Sequence, residues 1–333
     1  MRQPVTTRIV VVALLAVALT FGALTAIPTR TSAGSLSTAI IGMFPKDAGE
    51  FAYADLKTAR KYPWFAQLND QLLPPRFHQF EQFLASSGVD PNSQVEELAW
   101  ASESNGKGDN VVGIALGNFD PSASEAKLKT QKVPSFESQG YRMYAFGSGI
   151  AAGDILFLFF DSNTAAFGNR ASLEKLIDVR MGGTPSLLTN ESLFPMISEA
   201  NGNGIVWGVL DKEHTAIALQ QLVPQAGQFP QAAAIIARIK AMIINISADD
   251  KSIDAHLQAV CASVDDANLL SAAFQAGLMY RRYQEASSNP ALAKALDGVG
   301  VVPTGDRLKI NAPVSQEQMT ALIQSKSFAP PAN

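Results

Sequence analysis

The sequence predicts an α+β protein: antiparallel sheets with helices packed on one face, built as two similar halves. Three observations carry this. Strand-like runs come in pairs joined by short turns, and an even alternation of single strands and helices, which a doubly wound parallel sheet needs, is missing. Helix signals follow the strand pairs. The element order of residues 35–200 then recurs over residues 201–326.

In the first half, Phe51–Leu56 (FAYADL) reads as a short strand. Pro63–Leu73 and Arg76–Ser86 read as helices broken at Pro74-Pro75, because proline removes a donor and clashes with the preceding turn. Phe77, Phe80, Phe83 and Leu84 share one face of the second helix, the spacing of a core stripe. Val95–Ser104 and Asn110–Phe119 form a hairpin around Asn105-Gly106-Lys107-Gly108, a strong turn signal. Asp120-Pro121-Ser122 opens a helix running to Gln131, with Asp at the cap and Pro at the first helical position.

Tyr141–Phe146 and Asp154–Asp161 pair around a glycine-rich turn. The run Ile155–Phe160 is apolar at every position, so that strand is covered on both faces. A strand at Thr164–Gly168 and a helix at Ala171–Met181 follow.

The second half repeats this plan. Ile205–Asp211 and the helix Lys212–Leu222 echo FAYADL and its helix. Lys240–Ala248 and Ser252–Cys261 form a hairpin around Asp249-Asp250-Lys251. Asp265-Asp266 caps a helix over Ala267–Gln284, as Asp120 caps its own. A strand at Arg307–Ala312 and a helix at Ser315–Ser325 complete the half, and residues 327–333 form a polar, Pro-containing tail. The repetition of order points to an internal duplication.

The N-terminal 34 residues are a leader. Arg2 and Arg8 precede Ile9–Ile27, nineteen residues without a charge. Basic residues ahead of an apolar run orient the chain with its N-terminus inside and the rest exported. One reading is a signal peptide cut after Thr31-Ser32-Ala33. The other is a membrane anchor, since nineteen residues at ~1.5 Å rise just span a ~30 Å hydrocarbon core. Both place the body outside the cytoplasm, periplasmic or secreted, touching membrane only through the leader.

Charge narrows the partners. The chain carries −4, and without Arg2, Arg8 and Arg30 the body has 23 basic against 30 acidic residues, or −7. Nucleic acid is therefore not an expected partner, because displacing phosphate counterions needs a basic face. Cys261 stands alone, so no disulfide forms within the chain. It reads as a small buried residue at a strand end.

No catalytic or cofactor constellation emerges. G-x-S-x-G, H-E-x-x-H and the phosphate-binding G-x-x-x-x-G-K-[ST] are missing from the sequence. Gly202-Asn203-Gly204 and Gly147, Gly149 and Gly153 sit before or between strands, whereas a dinucleotide loop follows a strand and opens a helix. His78, His214 and His256 read as surface residues on separate elements. Asp249-Asp250 and Asp265-Asp266 lie at a turn and a helix start, where aspartate serves the backbone. The expectation is thus no enzyme, no cofactor and no metal.

The candidate binding feature is an apolar groove formed by Trp64, Phe65, Phe77, Phe80 and Phe83, where Pro74-Pro75 sets two aromatic helices side by side. At helical spacing the same residues are also what a core requires. Two functions follow: a non-catalytic envelope protein that binds a partner or assists assembly, or a carrier for an apolar ligand such as lipid.

Phe44-Pro45-Lys46-Asp47-Ala48, the FAYADL strand with its Trp64 helix, and Gly117-Asn118-Phe119-Asp120-Pro121 resemble segments of uncharacterised bacterial envelope proteins classed as domains of unknown function. The resemblance covers most of the exported body. It implies a leader before a repeated α+β body with no assigned activity, and it carries over no catalytic residue.

Overall fold

The computed structural model describes residues 34–66, 75–104, 109–151, 153–222, 234 and 236–324. The leader through residue 33, Pro74 of the Pro74-Pro75 break, the Asn105–Gly108 turn and the 327–333 tail lie outside the described residues, as does the Phe77 side chain. The fold is α+β with antiparallel sheet pairing throughout, and the described residues divide into two compact units. Residues 36–58 and 75–195 make the first; residues 59–66 and 196–324 make the second.

In the first unit α1 (Thr38–Ile41) precedes β1 (Glu50–Asp55), and α2 (Leu56–Ala59) leads out of it. Helices α3 (Pro75–Ser86) and α4 (Pro91–Gln94) then introduce the hairpin β2 (Val95–Ser104) and β3 (Asp109–Gly117). Helix α5 (Pro121–Thr130) is followed by β4 (Ser135–Ser138), β5 (Tyr141–Phe146), β6 (Ile155–Phe159), β7 (Thr164–Gly168) and α6 (Arg170–Arg180). The strands order as β1-β2-β3-β7-β6-β5-β4.

Local chemistry sets these boundaries. Asp120 caps α5 by accepting from the Ala123 amide at 3.0 Å, with Pro121 following it. Ile155, Leu156, Phe157 and Leu158 of β6 are all buried, and the sheet is covered on both faces. Phe157 points toward α3 and α5, joining Phe80, Leu128, Tyr144 and Ile155. The opposite face meets α6, whose Leu173, Leu176 and Ile177 are buried against β3, β6 and β7.

The β5–β6 turn is held by one carboxylate. Asp154 accepts from Ser148 Oγ (2.6 Å) and from the amides of Gly149 (2.7 Å) and Ala151 (3.2 Å). The Ser148 hydroxyl bond, helped by those backbone amides against a smaller desolvation penalty, holds the carboxyl below its ordinary range. Asp154→Asn is expected to cost about 1.5 kcal/mol at neutral pH, the lower end for bonds to a charged group. A depressed folded pKa stabilises fully above the ordinary carboxylate value of roughly 4 and loses that contribution as pH falls through the folded value. The gap in urea midpoint between wild type and variant should therefore close in acid; a pH-independent gap would refute the assignment.

Helix α7 (Phe194–Ala200), which enters the second unit at Met196, precedes β8 (Val206–Leu210) and α8 (Lys212–Leu222). The hairpin β9 (Ile239–Ala248) and β10 (Ser252–Cys261) follows, then α9 (Val264–Ser288), α10 (Pro290–Leu296), β11 (Gly300–Thr304), β12 (Arg307–Ser315) and α11 (Gln316–Gln324). The strand order is β8-β9-β10-β12-β11. Strict alternation along β10 buries Ile253, Ala255, Leu257, Ala259 and Cys261 and leaves His256 outward. Helix α8 packs on β8 and β9, and α9 on β10, β11 and β12. On the other face, Glu199 of α7 binds Arg307 at 2.6 Å.

Besides the short helices α1, α4, α7 and α10, which the sequence reading lacked, three features differ from it. Strands β4 and β11 are short edge strands, and β11 contains Pro303, which weakens a strand signal and is tolerated at an edge. Helix α9 begins at Val264 and ends at Ser288, capped by Ser263 rather than by the aspartate pair. Ser263 Oγ accepts from the Asp266 amide (3.1 Å) and donates to its carboxylate (2.8 Å), a reciprocal arrangement akin to a capping box. Finally, His214 is buried rather than at the surface.

Candidate functional site

Of the five aromatics proposed for an apolar groove, the Phe77 side chain lies outside the described residues, Trp64 and Phe65 belong to the second unit, and Phe80 and Phe83 to the first. Trp64 is buried, stacks on Tyr62 (5.5 Å between centroids, 11°) and meets Phe65 edge-on. Tyr62 Oη donates to the Ala248 carbonyl at 2.7 Å, which ties this segment to β9 of the second unit. Phe80 and Phe83 lie on α3 of the first unit. Phe80 is buried against Phe146 (5.8 Å) and Phe157 (6.3 Å), and Phe83 reaches the same two rings at 5.3 and 6.0 Å. Phe80 and Phe83 thus serve core packing, with rings in tilted and edge-on contacts that aromatic quadrupoles favour.

The histidines sit in three environments. His78 Nδ1 lies 3.3 Å from Glu81 on the same helix. His256 stands on the outward face of β10 between Asn245 and Asn311 of the adjoining strands. His214 folds back over the first turn of α8, with its ring Nδ1 and its amide at 2.9 and 2.8 Å from Asp211 Oδ1. Burial works to raise the Asp211 pKa, but the bonds from His214 and the Glu213 amide outweigh it and hold the carboxyl below its ordinary range. This pair caps a helix, and with the ring 1% exposed it offers no face to a substrate. Burial likewise raises the Cys261 thiol, which leaves little thiolate for chemistry.

The FPKDA segment has a structural role. Phe44 is buried edge-on to Phe51 (5.0 Å), and its carbonyl accepts from the Leu187 amide at 2.7 Å. Asp47 pairs with Lys175, which also binds Glu103 at 2.7 Å. A shallow 360 Å³ groove lies here, lined by Lys46, Asp47, Thr184 and Pro185.

The feature that sequence reasoning missed is on α9. Its C-terminal half exposes Met279, Tyr280 and Tyr283 at 69%, 64% and 84%. With Arg282, Ala286 and, on α10, Pro290 and Ala293, Met279 and Tyr283 line an open groove of 630 Å³. Arg282 pairs with Asp297 and Arg281 with Glu285, each at 2.8 Å. Such clustering of Tyr, Met and Arg on exposed surface is the composition of protein interfaces. A second apolar periodicity on this helix, beside the one facing the sheet, was the signal available in the sequence.

Among the described residues no group of three or more His, Cys, Asp or Glu is placed to hold a metal ion, and no helix is long and apolar enough to cross a membrane.

No family model and no curated protein sequence matches the chain. Solved structures do. The chain is similar to crystal form I of TP0453, with 12% identity, a TM-score of 0.50, and coverage of 90% of this chain and 100% of that one. Crystal form III of TP0453 gives 10% identity, a TM-score of 0.50, and coverage of 89% and 99%. At this identity the likeness is one of fold: the chain shares the α+β architecture of TP0453.

Proposed function

We propose that the protein is a non-catalytic, extracytoplasmic envelope protein whose α+β body binds a partner protein, acting in interaction or assembly. The observation that carries this reading is where apolar surface is spent. Phe80 and Phe83 pack into the core under α3, while Met279, Tyr280 and Tyr283 stand on the outside of α9. A carrier concentrates apolar surface in a concave interior; an interaction protein displays it outward. Placement outside the cytoplasm rests on the leader and on the resemblance to bacterial envelope proteins.

Installing a photoreactive residue in place of Tyr283 in the full chain, expressed in a bacterium and irradiated in intact cells, tests this. A protein adduct that disappears when Met279→Glu is added is the expected result. An adduct of lipid mass alone would replace this reading with the carrier of an apolar ligand.

The two units are further read as products of an internal duplication. Five of the first unit's seven strands, in the order β1-β2-β3-β7-β6, follow the order β8-β9-β10-β12-β11 of the second, with a hairpin second and third and a helix after it, while β5 and β4 have no counterpart. An experimental structure in which these five strands failed to superpose in that order would sink the idea.

A further inference from the structure

We infer that α9 is a self-association helix, pairing antiparallel with α9 of a second copy of this chain. This rests on the interaction reading and names its partner. Leu269, Ala272, Ala276, Met279, Tyr283 and Ala286 recur at alternating intervals of three and four, the spacing of a coiled-coil seam. All six are exposed. The helix meets its own sheet with a different stripe: Ala267, Leu270 and Ser271 are buried, and Phe274 and Leu278 half-buried. The seam is therefore surplus to the fold, and at ~1.5 Å per residue it runs about 26 Å.

The occupant is indicated by the order of sizes along the seam. Turned antiparallel about a point between Gly277 and Leu278, the seam sets Leu269 against the partner's Ala286, Tyr283 against the partner's Ala272, and Met279 against the partner's Ala276. Each large side chain meets an alanine, the arrangement that lets layers interdigitate. Each contact also occurs twice, as a two-fold interface requires. Arg281 and Arg282 lie about three and a half and four and a half residues from the axis, which separates them from their symmetry mates by roughly 10–14 Å along the helix, beyond the ~8 Å screening length of physiological salt. A parallel pairing in register would stack alanine on alanine and Tyr283 on the partner's Tyr283, leaving gaps at three layers and bringing the basic pairs together.

The test is disulfide capture in the full chain, in intact expressing cells. In the double variant Leu269→Cys/Ala286→Cys, oxidation should convert most of the protein to a covalent dimer. The cysteines are ~26 Å apart within one helix, so they cannot close on each other. Either substitution alone should give no dimer, and Cys261 is buried and silent. Adding Met279→Glu and Tyr283→Glu should reduce the dimer at least about tenfold, the effect of ~1.4 kcal/mol, with the circular-dichroism spectrum of the fold retained, since both side chains are solvent-exposed in the single chain. Single variants that cross-link as well as the double, or a folded double variant that yields no dimer, would overturn self-pairing. If the latter came with a photo-adduct at position 283 to a different protein, the interaction reading would survive; with neither, both fall.

Discussion

Truncating Phe157 to alanine is expected to destabilise the first unit by about 3–5 kcal/mol, the cost of emptying a large aromatic site in a packed core. Phe157 is 3% exposed and its ring lies within 6.3 Å of Phe80, Phe83, Tyr144 and Phe159. Those neighbours come from α3, β5 and β6, so none can collapse into the space without moving an element. The measurement is the urea midpoint at constant slope, because a changed slope would report an altered unfolded or native state. A loss under ~1 kcal/mol would mean that the space beneath α3 is not tightly filled, and the carrier reading would regain its ground.

Gly117→Ala is expected to cost about 3 kcal/mol or more, at the upper end of overpacking effects. A Cβ there would stand 1.8 Å from the Gln94 carbonyl oxygen and 2.9 Å from its carbon. Both are backbone atoms, and neither side is free to yield. The Gln94 carbonyl accepts from the Asn118 amide at 2.9 Å, and Gly117 itself is bonded to Asn163 through its amide and its carbonyl. The site coincides with the register shift between Val95 and Glu97, where an extra residue brings one strand closer to the other. Gly277→Ala is the contrasting control: nothing lies within 4 Å of its Cβ, so alanine's helix propensity should stabilise the unit by ~0.8–1 kcal/mol. Equal losses at both glycines would show that the close approach at Gly117 does not exist.

The hairpins and the helix after each were legible because their information is local. The alternation of β10, the turn at Asp249-Asp250-Lys251 and the Asp120-Pro121 helix start each depend on residues adjacent in sequence. Asp249 shows the reason: its carboxylate accepts from the Lys251 and Ser252 amides at 2.7 Å, which requires no other part of the fold. The continuous apolar run of β6 likewise required two covered faces, and α3 and α6 provide them.

Burial set by distant elements was not legible. His214 looked like a polar first-turn residue, and only the covering of α8 makes it 1% exposed. Ser263 outcompetes Asp265 as a cap because the chain leaving β10 delivers Ser263 to the helix start in extended backbone. Trp64 and Phe80 were both placed on aromatic helices flanking Pro74-Pro75, yet Trp64 joins the second unit and Phe80 the first. On α9 two apolar periodicities coexist, and nothing in the sequence ranks them. By itself, then, the sequence determined the α+β class, the antiparallel pairing and the hairpins, because strand alternation and turn chemistry act over a few residues. The tertiary structure alone decided which of the two α9 stripes meets the sheet, because burial depends on long-range packing against β10, β11 and β12.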